Sequence, residues 1–556
     1  MDHHIKESVM NRASNPPSNS RLLSGITSAS GQSSRLFGLM SIVVLMLAGC
    51  SQTPDTSSTL TYGLTLAPSG IDPHLHASSE LTIPLRSVYD TLVYEDPIQG
   101  GFVPGLAANW TISSDGLMYT FDLRTDVIFH DGTPFNAQAV KENIDFIMDA
   151  DNHSFKAVFM LGPLEQVSVL DEYTVVFQLS EPFAPLMDSL SQTYLGMASP
   201  AALNTWGATD FQFHQVGTGP YRFVEYIPND HITLEANPDY TWGPSIFNQE
   251  QAQIDEIIFR FYEDEATRAL ALESGEVDII GEMPPYEAAR LVTNGSFTLH
   301  AVPIPGQPLQ FLFNTQRAPS NDVRVRTALI MAVDRASLVN TLFGTYSPMA
   351  QGPLCASTFG FSPEFIFPTY DFDRAVDLLE DAGWTDPDGD GIRSREGNDL
   401  DLLLVAPTWG SNTEAAQLVA AAWEAVGARV TIEVAPGFGR LKEAQTSGEY
   451  NAIGFNLFGA DPDLLRPFFS ENGLYNWTGY SESDLDNLLL QAAQEWSDRE
   501  KRQDLYAQIA EILRDEALLI PLRDYVNLTM TSNRVQGLRF SAQGWSPFLI
   551  ETHLEP

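Results

Sequence analysis

Two cysteines, Cys50 and Cys355, are spread over 556 residues, and that scarcity sets the first limit on the fold. At most one pairing is available, and the surroundings of Cys50 take it out of the folded body. No disulfide framework is then possible. The chain is also too long for one hydrophobic core, so two or three domains, each held by its own packing, are expected.

Cys50 closes the stretch Leu47-Ala48-Gly49-Cys50, at the end of an apolar run from Leu36 to Leu47 that follows Arg35. A basic flank, a short apolar segment and small residues before a cut are the anatomy of a secretory signal. The run is too short to span a bilayer as a permanent helix. Leu-Ala-Gly-Cys resembles the bacterial lipobox, in which the Cys is acylated and becomes the mature N-terminus. Acyl chains anchor stably because each buried methylene contributes about 0.8 kcal/mol. Residues 1–49 are expected to be a lipoprotein signal peptide, with Met10 an alternative start. Cys50 is the expected lipidation site, and 50–58 a polar tether. This places the body on the outer face of the bacterial cytoplasmic membrane, on the periplasmic side of the envelope.

Residues 1–49 hold four basic residues (Lys6, Arg12, Arg21, Arg35) and two acidic ones (Asp2, Glu7), so the remainder has 26 basic against 70 acidic residues, a net charge of −44. That excludes nucleic acid as a partner, which needs a basic footprint. Hydrophobic residues make up 44% of the chain, so this is a globular protein with an acidic surface and not a disordered acidic tail. Lysine is scarce, five against 25 arginines. Such a surface suits saline surroundings, and genome base composition explains it equally.

No fixed-period repeat is visible, and no further apolar run is long enough to span a membrane. Leu60 to Leu66 reads as a first strand, and Tyr119 to Leu123 and Thr174 to Leu179 read as strands bounded by turn residues. Asn136 is placed to cap a helix with Val140, Ile144, Ile147 and Met148 on one face. A single helix is expected from Asp322 to Phe343. Its apolar face would hold Val325, Leu329, Ala332, Val333, Ala336 and Val339, with Arg324, Asp334 and Arg335 turned elsewhere. Two further helices, around Leu485 to Trp496 and Leu505 to Leu513, precede a strand at Leu518 to Leu522 that returns to the main body. Strands alternating with helices over several hundred residues argue for α/β lobes.

The usual signatures of catalysis are missing. No Gly-Lys pair exists for a phosphate loop, and there is no His-Glu-x-x-His, Gly-x-Ser-x-Gly or Cys-x-x-Cys. His130-Asp131 reads as part of a turn, Asp131-Gly132-Thr133-Pro134, that feeds the next helix. His74-x-His76 is the one close His pair after Cys50. At strand spacing the two rings share a face and suit a metal; in a loop after Pro73 they are unrelated polar residues.

The order of local motifs carries the most information. The chain runs through Val88-Tyr89-Asp90-Thr91-Leu92-Val93, Pro104-Gly105-Leu106-Ala107 with Trp110, and Val127-Ile128-Phe129-His130-Asp131-Gly132-Thr133-Pro134-Phe135. Gly217-Thr218-Gly219-Pro220-Tyr221, Asn237-Pro238-Asp239-Tyr240 and Gly275-Glu276-Val277-Asp278 follow. Asn314-Thr315 and Val323-Arg324-Val325-Arg326-Thr327-Ala328 with Asp334-Arg335 come last. In order and spacing these resemble the solute-binding proteins of ABC importers in the dipeptide, oligopeptide and nickel class, family 5, over nearly all of the mature chain. A departure is Ala139-Val140, where the family commonly has Asp-Val. The resemblance implies an α/β, two-lobed periplasmic-binding-protein type II fold with an extra domain inserted in lobe I. By analogy lobe I takes 59–95, 205–300 and 515–556, the extra domain 96–204, and lobe II 301–514. It implies a monomeric receptor, not an enzyme, that binds an oligopeptide or other small molecule and delivers it to importer permease subunits, with no cofactor required.

The resemblance also points to ligand-binding residues. In peptide binders of the family an Asp pairs with the free amino group of the ligand. Aligning the aromatic-x-x-Asp pattern puts Phe458 and Asp461 on those positions; aligning Asp461-Pro462-Asp463 with a later Asp-Pro puts Phe458 at the clamp position and leaves no clamp. Phe438 resembles another pocket aromatic. Trp409, Asn314, Tyr475 and Trp477 are further lining candidates, for which core packing is the competing role.

Asp386-Pro387-Asp388-Gly389-Asp390-Gly391-Ile392 places carboxylates at positions one, three and five, with the Ile392 carbonyl at seven, as in the front half of a calcium loop. The bidentate Glu expected at twelve is replaced by Gly397. Structural calcium and a plain acidic turn both remain open. So do three alternatives for the solute and the chemistry: a sugar, a nickel or metal-chelate ligand held by His74 and His76, and a secreted hydrolase.

Overall fold

The computed structural model describes residues 58–555, apart from Ser69 and Phe155. The signal peptide 1–49, the lipidation site Cys50 and the tether up to residue 57 lie outside the described residues. Among the described residues no helix is long and apolar enough to cross a membrane.

Three sheets organise the body. The largest has seven strands in the order Phe297–Pro303, Val526–Ser532, Ile279–Ile280, Thr59–Leu64, Glu256–Phe261, His231–Ala236, Tyr221–Ile227. Thr59–Leu64 sits centrally, parallel to Glu256–Phe261 and Ile279–Ile280. Its Leu60, Tyr62 and Leu64 are buried, as a strand covered on the sheet face requires.

The second sheet is antiparallel and has four strands in the order Ala107–Ile112, Met118–Leu123, Thr174–Leu179, Leu164–Asp171. It lies within the segment expected to form the extra domain. Tyr119, Phe121 and Leu123 alternate inward, as do Val175, Phe177 and Leu179. The helix Ala137–Met148 covers this sheet. Asn136 caps it, accepting from the Ala139 N–H at 3.0 Å. Val140, Ile144 and Ile147 are buried, whereas Met148 at the last turn is exposed, contrary to its expected place on the apolar face. These side chains join those of the seven-stranded sheet in one continuous core.

The third sheet has five strands in the order Arg429–Ala435, Asp401–Pro407, Ala452–Gly454, Leu309–Phe313, Leu519–Arg523. It belongs to lobe II and separates two cores of its own. Leu519–Arg523 pairs antiparallel with Leu309–Phe313, so the chain returns to lobe I only after Arg523, later than the expected boundary at 515. The reason is burial on both faces: Leu518 and Leu519 enter one core of lobe II, and Ile520 and Leu522 the other. The chain thus crosses between lobes twice, over 304–308 and at Asp524-Tyr525.

The helix expected from Asp322 to Phe343 is two, Val323–Met331 and Arg335–Phe343. Asp334 ends the continuity by capping the second one, accepting from the Ser337 N–H at 3.0 Å. Arg335 is buried and not solvent-facing. It donates to the carbonyls of Ala350, Pro521 and Pro368 at 3.0 Å each, which meets the hydrogen-bonding need of a buried guanidinium.

Candidate functional site

Lobe II meets the rest of the body in two sets of contacts. Near the crossings, Phe458 from lobe II forms an isolated bridge with Gly306. Its ring lies edge-on to Tyr525 at 4.7 Å and to Trp545 at 5.5 Å. The Tyr525 hydroxyl donates to Asn456 Oδ1 at 3.3 Å, and the Arg523 guanidinium lies over the Tyr525 ring at 4.3 Å. Phe458, singled out from sequence, therefore belongs to an aromatic wall shared by both lobes. Trp545 also lines a small cavity on the lobe I side, with Tyr62, Thr65, Glu80, Glu282 and Asn527.

Further out, lobe II touches the extra domain. The Ala184 N–H donates to the Ala493 carbonyl at 2.7 Å, and Gln494 Nε2 to Glu181 at 2.8 Å. Gly116, at φ +73°, lies so close to Trp496 that a Cβ there would stand 2.2 Å from its Nε1. Only glycine suits this contact, on both conformation and space.

Between these contacts sits Asp461. Arg502 Nη1 and Nη2 donate to its two oxygens at 2.7 Å each. One of those oxygens also accepts the Asp463 N–H at 2.9 Å, starting the short helical turn Pro462–Leu465. The Asp461 and Arg502 side chains are 12% and 8% exposed. Asp463 pairs with Arg466 in the same two-pronged way. Two more carboxyls approach from lobe I and the extra domain. Burial pushes Glu95 up to about 7; Arg86 opposes the shift, and the charge of Asp461 adds to it. Asp188 is raised well above the carboxylate range by burial, then by Glu95 and Asp461.

Phe438, Tyr475 and Trp477 come together around Phe455. Phe455 stacks on Trp477 at 4.7 Å and lies 5.3 Å from Tyr475, and Phe438 covers it at 5.5 Å. Phe438 is exposed and Trp477 buried, so Phe438 forms the solvent-facing lid of this cluster and Trp477 its floor. Trp409 is exposed at a separate turn, where its carbonyl accepts from Asn412 Nδ2 at 2.7 Å. Asn314 differs from its expected lining role. It is buried, its Nδ2 donates to the carbonyls of Gly448 and Tyr450 at 3.1 Å each, and its Oδ1 accepts the Gln316 N–H. Every polar group of its amide is spent on backbone.

His74 and His76 lie in a loop, not a strand. His74 Nε2 bonds the Gly196 carbonyl at 2.8 Å, and burial lowers its pKa to about 4. His76 Nδ1 meets the backbone of Asp72. His130 and Asp131 form the turn expected of them: His130 Nε2 bonds the Gly219 carbonyl at 2.9 Å, and Asp131 accepts from Thr133 and Ser199. Asp386, Asp388 and Asp390 are exposed and each offers an oxygen within 4.8 Å of the others, the one such group of three among the described residues. Asp386 accepts the N–H groups of Gly389 and Gly391, and Asp390 that of Ile392.

Sequence reasoning missed Glu80, Glu282, Arg523, Tyr525 and Trp545. The motif Gly275-Glu276-Val277-Asp278 ends four residues before Glu282, and the expected strand Leu518 to Leu522 ends directly before Arg523; these were the nearest signals to those two residues.

Two α/β lobes joined by two crossings, with an extra domain on the first, define a type II periplasmic-binding-protein fold. The description "Bacterial extracellular solute-binding proteins, family 5 Middle" matches residues 101–476. The nickel-binding periplasmic protein of Escherichia coli (strain K12) is 28% identical over 484 residues, covering 83% of this chain and 88% of that protein. The glutathione-binding protein GsiB of Escherichia coli O157:H7 is 30% identical over 436 residues, covering 75% and 79%. Among solved structures, NikA from Brucella suis in complex with Fe(III)-EDTA superposes with a TM-score of 0.80 at 24% identity, over 89% of this chain and 100% of that one. DppA from Helicobacter pylori in complex with the peptide STSA gives 0.73 at 24% identity, over 90% and 98%. The chain belongs to the family 5 extracellular solute-binding proteins of ABC transport. It is a transport receptor and not an enzyme.

Proposed function

We propose that this receptor captures a peptide-like solute between its lobes and hands it to the permease subunits of an ABC importer. In this reading it works as a monomer tethered by lipid on Cys50 to the outer face of the cytoplasmic membrane, and needs no cofactor. The observation that carries the solute reading is the wall of Phe458, Tyr525 and Trp545, built from both lobes where the chain crosses between them. A solute stacked there contacts both lobes at once. It stabilises the closed arrangement by the difference in its affinity for closed and open forms. Relatives named for glutathione and a neighbour holding a peptide support the peptide-like class.

A second reading, nickel or a metal chelate, is favoured by the nickel-binding relative. His74 and His76 give it little support: each ring bonds backbone through one nitrogen, and His74 is buried. A sugar stacked on the same aromatic wall is a third. Mass spectrometry of solute released from purified protein is expected to yield a peptide-like molecule. Calorimetric titration should then show binding of short peptides and none of nickel or sugars. Release of a metal chelate or sugar with no peptide binding would replace the proposed solute class.

A further inference from the structure

Glu80 and Glu282 flank one hydroxyl. Thr65 Oγ1 stands 2.9 Å from Glu80 Oε1 and 2.7 Å from Glu282 Oε2. A hydroxyl has a single proton to give, so with both groups ionised one of these oxygens faces its lone pairs; Glu80 also accepts the Thr65 N–H at 3.2 Å, which leaves Glu282 the carboxylate short of a donor. Glu282 holds this place at φ 45°, in the left-handed region that a non-glycine residue enters only at a cost. Its N–H is tied to Asn527 Oδ1 at 3.3 Å. The Tyr62 hydroxyl is an independent sign of something missing. Tyr62 is 0% exposed, it lines the same cavity, and its hydroxyl has no hydrogen-bond partner among the described residues. The Thr529 hydroxyl stands near enough to the Tyr62 oxygen to lower its pKa, but its own proton goes to Asn527 Oδ1 at 3.2 Å. The charges of both glutamates reach the Tyr62 hydroxyl and add to the burial that raises its pKa.

We propose that Glu80, Glu282 and Tyr62 form a subsite in the lobe I wall for one organic cation, an ammonium group carried by the solute. This rests on the receptor reading and names the chemistry of its ligand. The cationic group supplies donors to the carboxylate that Thr65 leaves unsatisfied and to the Tyr62 oxygen. The space open to a water-sized sphere is about 10 Å³, room for one group the size of a water or an ammonium head and not for a whole solute. The rest of the molecule extends along Trp545, which lines the cavity and touches Phe458. A metal ion fits poorly, because the cavity lacks room for the waters a hard cation needs beside two carboxylates and a phenol. The strongly negative surface draws a cationic solute toward the protein.

The test is calorimetric titration of the full chain with Arg- and Lys-containing dipeptides, agmatine and putrescine. N-acetylated citrulline- and norleucine-containing dipeptides, which carry no ammonium group, serve as neutral counterparts, and nickel and magnesium chlorides as metal controls. At least one cationic probe is expected to bind wild type clearly tighter than its neutral counterpart. Glu282→Gln is expected to cost that probe roughly 30-fold or more in affinity while leaving the neutral one unchanged. Glu282 is half-buried, so this variant keeps the fold more readily than Glu80→Gln; retention of the wild-type melting temperature checks that. Binding of no cationic probe, equal binding of charged and neutral probes, an unaltered preference in Glu282→Gln, or preference for a metal each overturns the subsite. Mass analysis of released solute separates the two levels. A neutral or anionic solute overturns the subsite and leaves the receptor reading standing, and a peptide-like solute carrying a cationic group supports both.

Discussion

Arg502 grips Asp461 through two parallel bonds of 2.7 Å, and both side chains are largely buried. The carboxylate that resemblance would offer to a ligand amino group already holds an internal guanidinium. Removing one member leaves a buried charge alone, so Asp461→Ala and Arg502→Met should each destabilise the protein by about 3–5 kcal/mol in denaturant titrations. N-acetylation of a peptide probe should cost no more affinity in wild type than in Asp461→Asn. A roughly 30-fold loss on acetylation that vanishes in Asp461→Asn would return Asp461 to the ligand.

Stability should fall as pH rises from 5 to 8. Burial lifts the carboxyls of Glu80, Glu95 and Asp72 up to about 7, and that of Asp524 to about 6. A raised carboxyl holds its proton in the folded state longer than in the unfolded chain. Its contribution is complete below the ordinary carboxylate range and is lost as pH climbs through 6 and 7. Melting temperatures at constant ionic strength should therefore be higher at pH 5 than at pH 8, with a smaller difference in Glu80→Gln. His74 and His130, which burial lowers to about 4, pull the other way below pH 6.5, so the deciding result is the difference between the two proteins; identical profiles would mean that Glu80 ionises normally.

Calcium is proposed at the exposed loop of Asp386, Asp388 and Asp390, with the Ile392 carbonyl as a fourth ligand. The three carboxylates already stand within ligand distance of one another, and a bound ion stabilises the folded state by mass action. Millimolar calcium should raise the melting temperature of wild type and leave an Asp388→Ala, Asp390→Ala double variant unmoved. Equal behaviour of the two proteins would leave an acidic turn held by its own N–H bonds.

Lipid on Cys50 is proposed from the Leu47-Ala48-Gly49 that precedes it. Cells expressing the full chain should incorporate labelled fatty acid into it. Cys50→Ala should leave an uncleaved precursor without label. Equal labelling of both would remove the anchor.

Legibility followed range. Asn136 was readable as a cap because its partner, the Ala139 N–H, lies three residues on. Asp334 is also a cap, but the apolar spacing continues across the break it makes, and periodicity alone ran the two helices together. Leu519–Arg523 is buried on both faces, so nothing in its pattern says which sheet it joins. The family was visible because many weak motifs fall in one order along nearly the whole chain. The site was less so. Arg502 lies 41 residues from Asp461 and Glu282 lies 217 from Thr65, and a single sequence has no local signal for such meetings. Aromatic residues were the hardest to sort: Phe438 and Trp477 sit in the same cluster, yet one is a lid and the other a floor.

The four-stranded sheet and the seven-stranded sheet pack their side chains into one core, Phe121 and Phe177 with Leu60 and Ile257. The extra domain is thus an annex without an inner wall of its own. Excised at 96 and 204, it would bare apolar surface on both fragments. Exchanged between relatives, it would carry half of an interlocking surface into a host shaped for another. Heat should take the protein apart along the crossings near 304–308 and 524–525, into two pieces and not three. Specificity borrowed from a relative is better transplanted as single side chains lining the cleft than as a segment.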